Sequence, residues 1–437
     1  MTRIRILRVD RFDLDSSRLA GFGLDAPVAG QETESPLITV VGWVVGRDGP
    51  VAHVELVWPG VEIPLRHVIV DKPRPDVAQT LPHAATSGFY DCLSALGLPP
   101  RFELILQTTH PDGHVSLLAV IHAERDLSAP TTATQELLQP ILVTALARSG
   151  TTWLMHLLAA HPSIAIYPRY PYEMHAAGYW WHLCRVLTQT TSFHGASHPD
   201  LFWFDLERIG APPFPTPEFR SEPGLQDWFT NNHLRDVIRY CQSMTERFYR
   251  RIADTWPDQT DPTCLRYFAE KQVVPDYAWL AWELYPDTRE IFLARDFRDV
   301  FCSILAFNRK RGVVTFGRET VGSDEEYADW LARQVENLRR NWAARSDRAL
   351  LVRYEDLIRS PAAELRRILS YLKLDSGDAA VRAVLSRAGQ ADTHLKSHRT
   401  TDNPTESIGR WRRDLPPALQ RVVNRAFAGA LAAFGYA

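Results

Sequence analysis

The residues Arg148-Ser149-Gly150-Thr151-Thr152-Trp153 have the types and order of an anion-binding turn. They follow a short apolar run, Ile141 to Ala145, which reads as a strand. They open the stretch Thr151 to Ala160, where Leu154, Leu157 and Leu158 mark the apolar face of a helix. A strand feeding a helix N-terminus leaves backbone N–H groups pointing into the turn, and with the helix dipole they favour negative charge. Gly150 lets the backbone come close to a ligand. Thr151 and Thr152 add hydroxyl donors, and Arg148 adds a fixed cation with several N–H groups. Two common phosphate loops are excluded. The position five before Gly150 is Ala145, and Thr151 follows Gly150 where a triphosphatase loop has lysine. A dinucleotide G-x-G-x-x-G is also absent from this turn. Taken alone, the turn fits an anion site or an ordinary helix start.

The elements around it alternate. Ser163 to Ile166, Glu290 to Ala294 and Ala349 to Val352 read as further strands, with a helix from about Arg298 after the second of these. Ser360 is placed as an N-cap and Pro361 at the first turn of a helix whose apolar face is Leu365, Ile368, Leu369 and Leu372. Strands alternating with helices predict an α/β fold, a parallel sheet flanked by helices, over residues 136–437. The first 130 residues differ. Leu37 to Val45 and Val51 to Trp58 flank the turn residues Gly46 to Gly49. Phe102 to Gln107 and Val115 to Ile121 flank His110-Pro111-Asp112-Gly113. Short strands with turns between them predict a small β-sandwich over 1–130, although Ser87 to Pro100 shows no clear pattern. Pro130 to Thr134 reads as the linker. Thr188 to Gly224 holds proline at 212, 213, 215 and 217, which excludes regular helix there and leaves a lid or a surface connection.

Composition narrows the class. A chain of 437 residues suits two domains, and a formal net charge of −3 argues against a nucleic-acid partner. Cys92, Cys184, Cys241, Cys264 and Cys302 are scattered and form no C-x-x-C pair. They read as reduced thiols of a cytoplasmic protein, with neither a zinc site nor a disulfide framework. Met1 to Asp15 lacks the apolar core of a signal peptide, and no run approaches the length of a membrane span.

Four segments in order carry a family resemblance. Residues 148–153, RSGTTW, resemble the 5′-phosphosulfate loop of sulfotransferases that use 3′-phosphoadenosine 5′-phosphosulfate (PAPS). Phe292 to Phe307 looks like that family's 3′-phosphate motif, with matching spacing from Arg295 to Ser303. Leu350 to Leu372 resembles its Y-E-D-L segment, and Ser407 to Trp411 (SIGRW) is similar to its late G-x-W loop. The resemblance spans about 138 to 430. It implies a fold like that of P-loop nucleotide triphosphatases, PAPS as donor, adenosine 3′,5′-bisphosphate (PAP) as product, and no metal.

By that resemblance the loop Arg148, Ser149, Gly150, Thr151 and Thr152 holds the 5′-phosphosulfate, and Trp153 stacks near adenine or packs beneath the helix. Arg295 and Ser303 grip the 3′-phosphate, with Arg298 as the nearby alternative. Tyr354 touches adenine or is simply buried. Gly409, Arg410 and Trp411 close over the nucleotide. The acceptor's general base is Glu173 first and His175 second, with a salt bridge to Arg169 as the plain structural role for Glu173. Lys271 lies in Ala269-Glu270-Lys271-Gln272, which looks like an E-K-T-P segment of the family, although Gln272 and Val273 replace Thr-Pro. It would contact the transferring sulfuryl group or the acceptor. Tyr170, Tyr172, Tyr179, Trp180 and Trp181 offer flat faces suited to sugar rings, or a helical core. The expected partner is therefore a small-molecule or glycan hydroxyl acceptor, a carbohydrate or another hydroxylated natural product. The rival readings are an NTP-dependent, kinase-like enzyme and a non-catalytic binding protein.

Overall fold

The computed structural model describes residues 3–49, 51, 53–59, 65–81, 84–110, 112–126, 137–189, 222–256, 260–271, 278–389, 400–401 and 403–436. The linker Pro130 to Thr134 and most of Thr188 to Gly224 lie outside the described residues. The chain divides into two compact units. One comprises Met1–Thr134, Tyr179–Met244 and Trp279–Pro286, and the other Gln135–Gly178, Thr245–Ala278 and Asp287–Ala437.

Among the described residues the first unit holds nine strands: β1 (Ile4–Arg11), β2 (Leu19–Ala26), β3 (Glu32–Thr33), β4 (Leu37–Gly46), β5 (His53–Val57), β6 (Arg66–Lys72), β7 (Gly88–Ser94), β8 (Arg101–Thr109) and β9 (Val115–Arg125). They form one antiparallel sheet in the order β2-β4-β7-β6-β5-β8-β9-β1-β3. Alternate residues supply the main apolar core, with Val40 and Val44 from β4, Val54 and Leu56 from β5, and Leu104 and Leu106 from β8. The turn at His110 to Gly113 closes the β8–β9 hairpin, where Gly113 has φ 81°. The Ser87 to Pro100 stretch contains β7, which is buried along nearly its whole length. A strand covered on both faces has no polar alternation, so its period is hidden in the sequence. Asp91 on β7 forms a two-pronged ion pair with Arg66 on β6, both bonds 2.8 Å and both residues buried.

The second unit is built, among the described residues, on five parallel strands: β10 (Gln139–Thr144), β11 (Ile164–Ala165), β12 (Tyr267–Lys271), β13 (Arg289–Ala294) and β14 (Leu350–Arg353). Their order is β11-β12-β10-β13-β14. Helices cover both faces, as a buried parallel sheet requires. Ile291 and Leu293 of β13 pack with helices α1 (Thr151–Ala159), Pro361–Tyr371 and Asp378–Gly389, while Phe292 and Ala294 point the other way. There they meet α2 (Phe297–Arg311) and the helices Asp324–Arg345 and Pro417–Ala433. Pro361 takes the first helical position as expected, but the Ser360 side chain makes no capping hydrogen bond.

From β10 the chain moves to one side of the sheet, and from β13 it moves to the other. The crevice between these neighbouring strands is the place where open α/β sheets bind ligands, at the strands' carboxyl ends.

Candidate active site at the carboxyl ends of the parallel strands

Five strand ends deliver the residues singled out by sequence. The turn 148–153 follows β10, Glu173 and His175 follow β11, Lys271 ends β12, Arg295 follows β13 and Tyr354 follows β14. A pocket of about 340 Å³ is lined by Arg148, Gly150, Thr151, Thr152, Trp153, Arg295, Ser303 and Tyr354, and on its far side by residues between Thr400 and Ser407.

The turn is shaped by two left-handed residues, Arg148 at φ 64° and Gly150 at φ 97°. That conformation is costly for arginine and free for glycine. Gly150 is also closed against a neighbour, since a Cβ there would stand 2.4 Å from Tyr354 Cδ2. Gly150 is the N-cap of α1 and no side chain caps this helix. The first-turn amides of Thr151 and Thr152 therefore face the pocket side without an intrahelical acceptor. Ser149 is buried, and its Oγ has no hydrogen-bond partner among the described residues.

Two guanidinium groups meet here. Arg295 donates to Arg148 O at 3.0 Å and to Ser407 O at 2.8 Å, and it lies 4.6 Å over the Tyr354 ring. Arg148 Nε is 3.4 Å from Ser303 Oγ, and its guanidinium sits 4.5 Å over Phe307. Burial first, then the charge of Arg295, pushes the Arg148 pKa down to about 10. Tyr354 OH and Ser407 Oγ are 3.1 Å apart, which ties the end of β14 to the late loop.

Lys271 is buried at the end of β12. Its Nζ donates to the Glu173 carboxylate, to Pro171 O at 3.0 Å and to Thr152 Oγ1 at 3.5 Å. Burial lowers the Lys271 pKa, and Glu173 opposes that shift. The preceding residue, Glu270, accepts from the amides of Ala177 at 2.7 Å and Gly178 at 3.2 Å, and from Tyr249 OH. Consecutive residues of one strand thus clamp both ends of the segment 171–178. His175 lies within it at φ 52°, half-buried, and its Nδ1 has no hydrogen-bond partner among the described residues.

A family model described as "Sulfotransferase family" matches residues 140–378, more than half of the chain. The chain belongs to the sulfotransferase family.

Solved structures similar to this sulfotransferase include the sulfotransferase domain from the curacin biosynthetic pathway. It is 16% identical, covers 69% of this chain and 99% of its own, and has a TM-score of 0.38. The corresponding domain of the Synechococcus PCC 7002 olefin synthase is 22% identical over 70% and 97% of the two chains, at 0.36. A mouse sulfotransferase complexed with PAP is 10% identical over 74% and 94%, also at 0.36. No curated protein matches the chain.

Several expected residues sit elsewhere in this sulfotransferase. Arg298 is engaged within its own helix region, in a bidentate pair with Asp296 at 2.9 and 2.7 Å and a hydrogen bond to Asn424 at 2.8 Å. Gly409, Arg410 and Trp411 do not line the pocket but support it. Arg410 donates to Thr400 Oγ1 at 2.9 Å and to Asp414 at 2.6 Å. Asp299 accepts from Gly409 N at 2.6 Å and Trp411 N at 3.0 Å, and burial raises its pKa to about 6. Tyr172 is buried, 2.8 Å from His156 Nδ1 through its OH, and Trp181 is buried too, whereas Tyr179 is 60% exposed. Of the aromatic cluster, Tyr172 and Trp181 are therefore core residues. Sequence reasoning did not single out Asp299, Ser407 or Glu270. All three lie inside quoted motifs, and the signal available was a polar residue beside an arginine, glycine or lysine already given a role. Among the described residues no helix is long and apolar enough to cross a membrane.

Proposed function

We propose that this sulfotransferase moves a sulfuryl group from PAPS to a hydroxyl acceptor by in-line displacement at sulfur. The observation that carries this reading is the convergence of two guanidinium groups, half-buried Arg148 and buried Arg295, on one pocket at an uncapped helix start. Like charges held together in a low-dielectric crevice favour a ligand of opposite charge. The residues fit a phosphosulfate nucleotide in three further ways. Gly150 leaves no Cβ in the turn, Ser149 Oγ and Trp153 Nε1 are buried without hydrogen-bond partners among the described residues, and the lining mixes cations with Trp153 and Tyr354.

When bound, PAPS supplies the sulfuryl group and a bisphosphate leaving group. Arg148 and the amides of Thr151 and Thr152 stabilise the negative charge that grows on the leaving 5′-phosphate. Arg295 and Ser303 bind the 3′-phosphate, with Arg410 bracing Thr400 behind it. Trp153 gives a flat face for adenine. Glu173 takes the acceptor hydroxyl proton as the new S–O bond forms and the old one breaks, so the acceptor gains the sulfuryl group and PAP departs. Lys271 aims the Glu173 carboxylate, and its own Nζ is within reach of Thr152 at the pocket wall. His175 is the second candidate base. Guanidinium and amide groups supply the charge stabilisation, so no step asks for a metal.

We further read residues 136–437 as the transferase domain and 1–130 as an accessory β-sandwich, its nine-stranded sheet folding over the main core. The acceptor class is a carbohydrate or other hydroxylated small molecule.

Incubation with ³⁵S-labelled PAPS and a panel of saccharide and phenolic acceptors, in EDTA, tests the reading. Label should appear in an acceptor without added magnesium. Labelled product from no acceptor, or only with a metal, would overturn it.

A further inference from the structure

A polar cluster lies on the β5–β6 hairpin of the first unit. Along β5 the residues alternate, so Val54 and Leu56 enter the core while His53 and Glu55 share the opposite face. The antiparallel register sets His67 of β6 directly across from Glu55, on that same face. Fourteen positions separate the two histidines in sequence, in no recognisable metal motif, and only strand pairing joins them.

We propose that His53, Glu55 and His67 bind one divalent transition-metal ion of the zinc type. Glu55 Oε1 lies 3.4 Å from His53 Nε2 and 3.9 Å from His67 Nδ1, and the three donor atoms all lie within 4.8 Å of one another. Tetrahedral zinc with bonds of about 2.0–2.2 Å holds its ligands roughly 3.3–3.5 Å apart, so a small imidazole rotation closes the set. The rings stand edge-on, centroids 4.9 Å apart at 73°.

Two further features point to a cation. Glu55 is buried at 7% exposure, and among the described residues its ion-pair partners are the two histidines, with no lysine or arginine. A buried carboxylate ordinarily carries a cationic partner. Its second oxygen, Oε2, accepts from Gln107 Nε2 at 2.8 Å and Thr109 Oγ1 at 2.9 Å, both on β8. This is the outer support that orients a ligating carboxylate, and it turns Oε1 toward the imidazoles. Two imidazoles and a carboxylate fill three positions of a zinc ion and leave one for water or a further ligand. The ion would pin β5 to β6 across their connection.

Zinc chloride titrated into the metal-stripped full-length protein tests the site by calorimetry. One zinc per chain is expected, with a rise in the unfolding temperature. His53→Gln and His67→Gln should each weaken zinc binding by more than about 10-fold, the least that ligand-supporting groups are worth. Cys264→Ser, which removes the exposed thiol, should change neither stoichiometry nor affinity. Both histidines are only half-buried, and thermal unfolding of each variant in EDTA reports whether it folds. Gln107→Ala, which leaves every ligand in place, should weaken binding less than either histidine change. No stoichiometric uptake by the wild type, or equal affinity in folded histidine variants, would contradict the proposal.

Discussion

The Lys271 ammonium donates to the Glu173 carboxylate, joining the end of β12 to a segment 98 residues earlier in the chain. The same Nζ reaches Pro171 O and Thr152 Oγ1, so one cation connects the carboxylate with the helix start that lines the pocket. Arg169, the partner suggested by proximity in sequence, is not the residue that holds Glu173.

This link makes a paired prediction. Glu173→Gln keeps the shape and removes the proposed proton acceptor, so kcat should fall by about 10²–10⁴-fold. Lys271→Ala removes the group that aims the carboxylate, and kcat should fall there too. In both variants the calorimetric affinity for PAP should stay near wild type, because the proposed roles of both residues lie with the acceptor and not with the nucleotide. Near-normal turnover in Glu173→Gln would remove it as the base, and unchanged kinetics in Lys271→Ala would remove its role.

Gly150 is constrained twice, by φ 97° and by the Tyr354 ring, which a Cβ at this position would meet at 2.4 Å. Gly150→Ala should therefore cost about 1–3 kcal/mol of stability in urea unfolding. It should also weaken PAP binding, since the turn must shift. A variant as stable and as tight-binding as the wild type would show that the turn tolerates a side chain.

Arg295 is buried and engaged with Arg148 O, Ser407 O and the Tyr354 face. Truncating a buried, hydrogen-bonded charge at a binding site costs about 2–5 kcal/mol. Arg295→Ala should lower PAP affinity by roughly 100-fold, at the lower end of that range. AMP, which lacks the 3′-phosphate, should be affected much less. Equal losses for both ligands would deny Arg295 its place at the 3′-phosphate.

The α/β half was legible because its signals are local. Ile141 to Ala145, Glu290 to Ala294 and the Ser360-Pro361 helix start each fell within a few residues of the observed element, and eight of the expected residues line one pocket. What stayed hidden depends on distant pairing. β7 is covered on both faces and shows no alternation, and β1 lay in a segment read only for its lack of a leader. The Lys271–Glu173 pair, the Asp299 grip on Gly409 and Trp411, and the Glu55–His67 register all join residues that sequence spacing cannot connect.

Acid should destabilise the protein in a defined window. Burial, then the nearby Arg387 charge, pushes the His161 pKa from 6.5 to about 4. The unfolded chain then binds a proton at this site at higher pH than the folded chain does. Stability contributed by His161 is complete above about 6.5 and is lost as pH falls toward 4. Melting temperatures between about pH 7 and pH 4.5 should drop less steeply for His161→Gln than for the wild type, and identical slopes would exclude His161 as a source.

Calorimetric titration of the wild-type chain with PAP and with ATP, both without magnesium, separates a PAPS-type donor site from a nucleoside triphosphate site. PAP should bind with one site per chain and more tightly than ATP, since the proposed role of Arg295 and Ser303 is to bind a 3′-phosphate that ATP lacks. Tighter binding of ATP than of PAP, or no binding of PAP, would contradict the assignment.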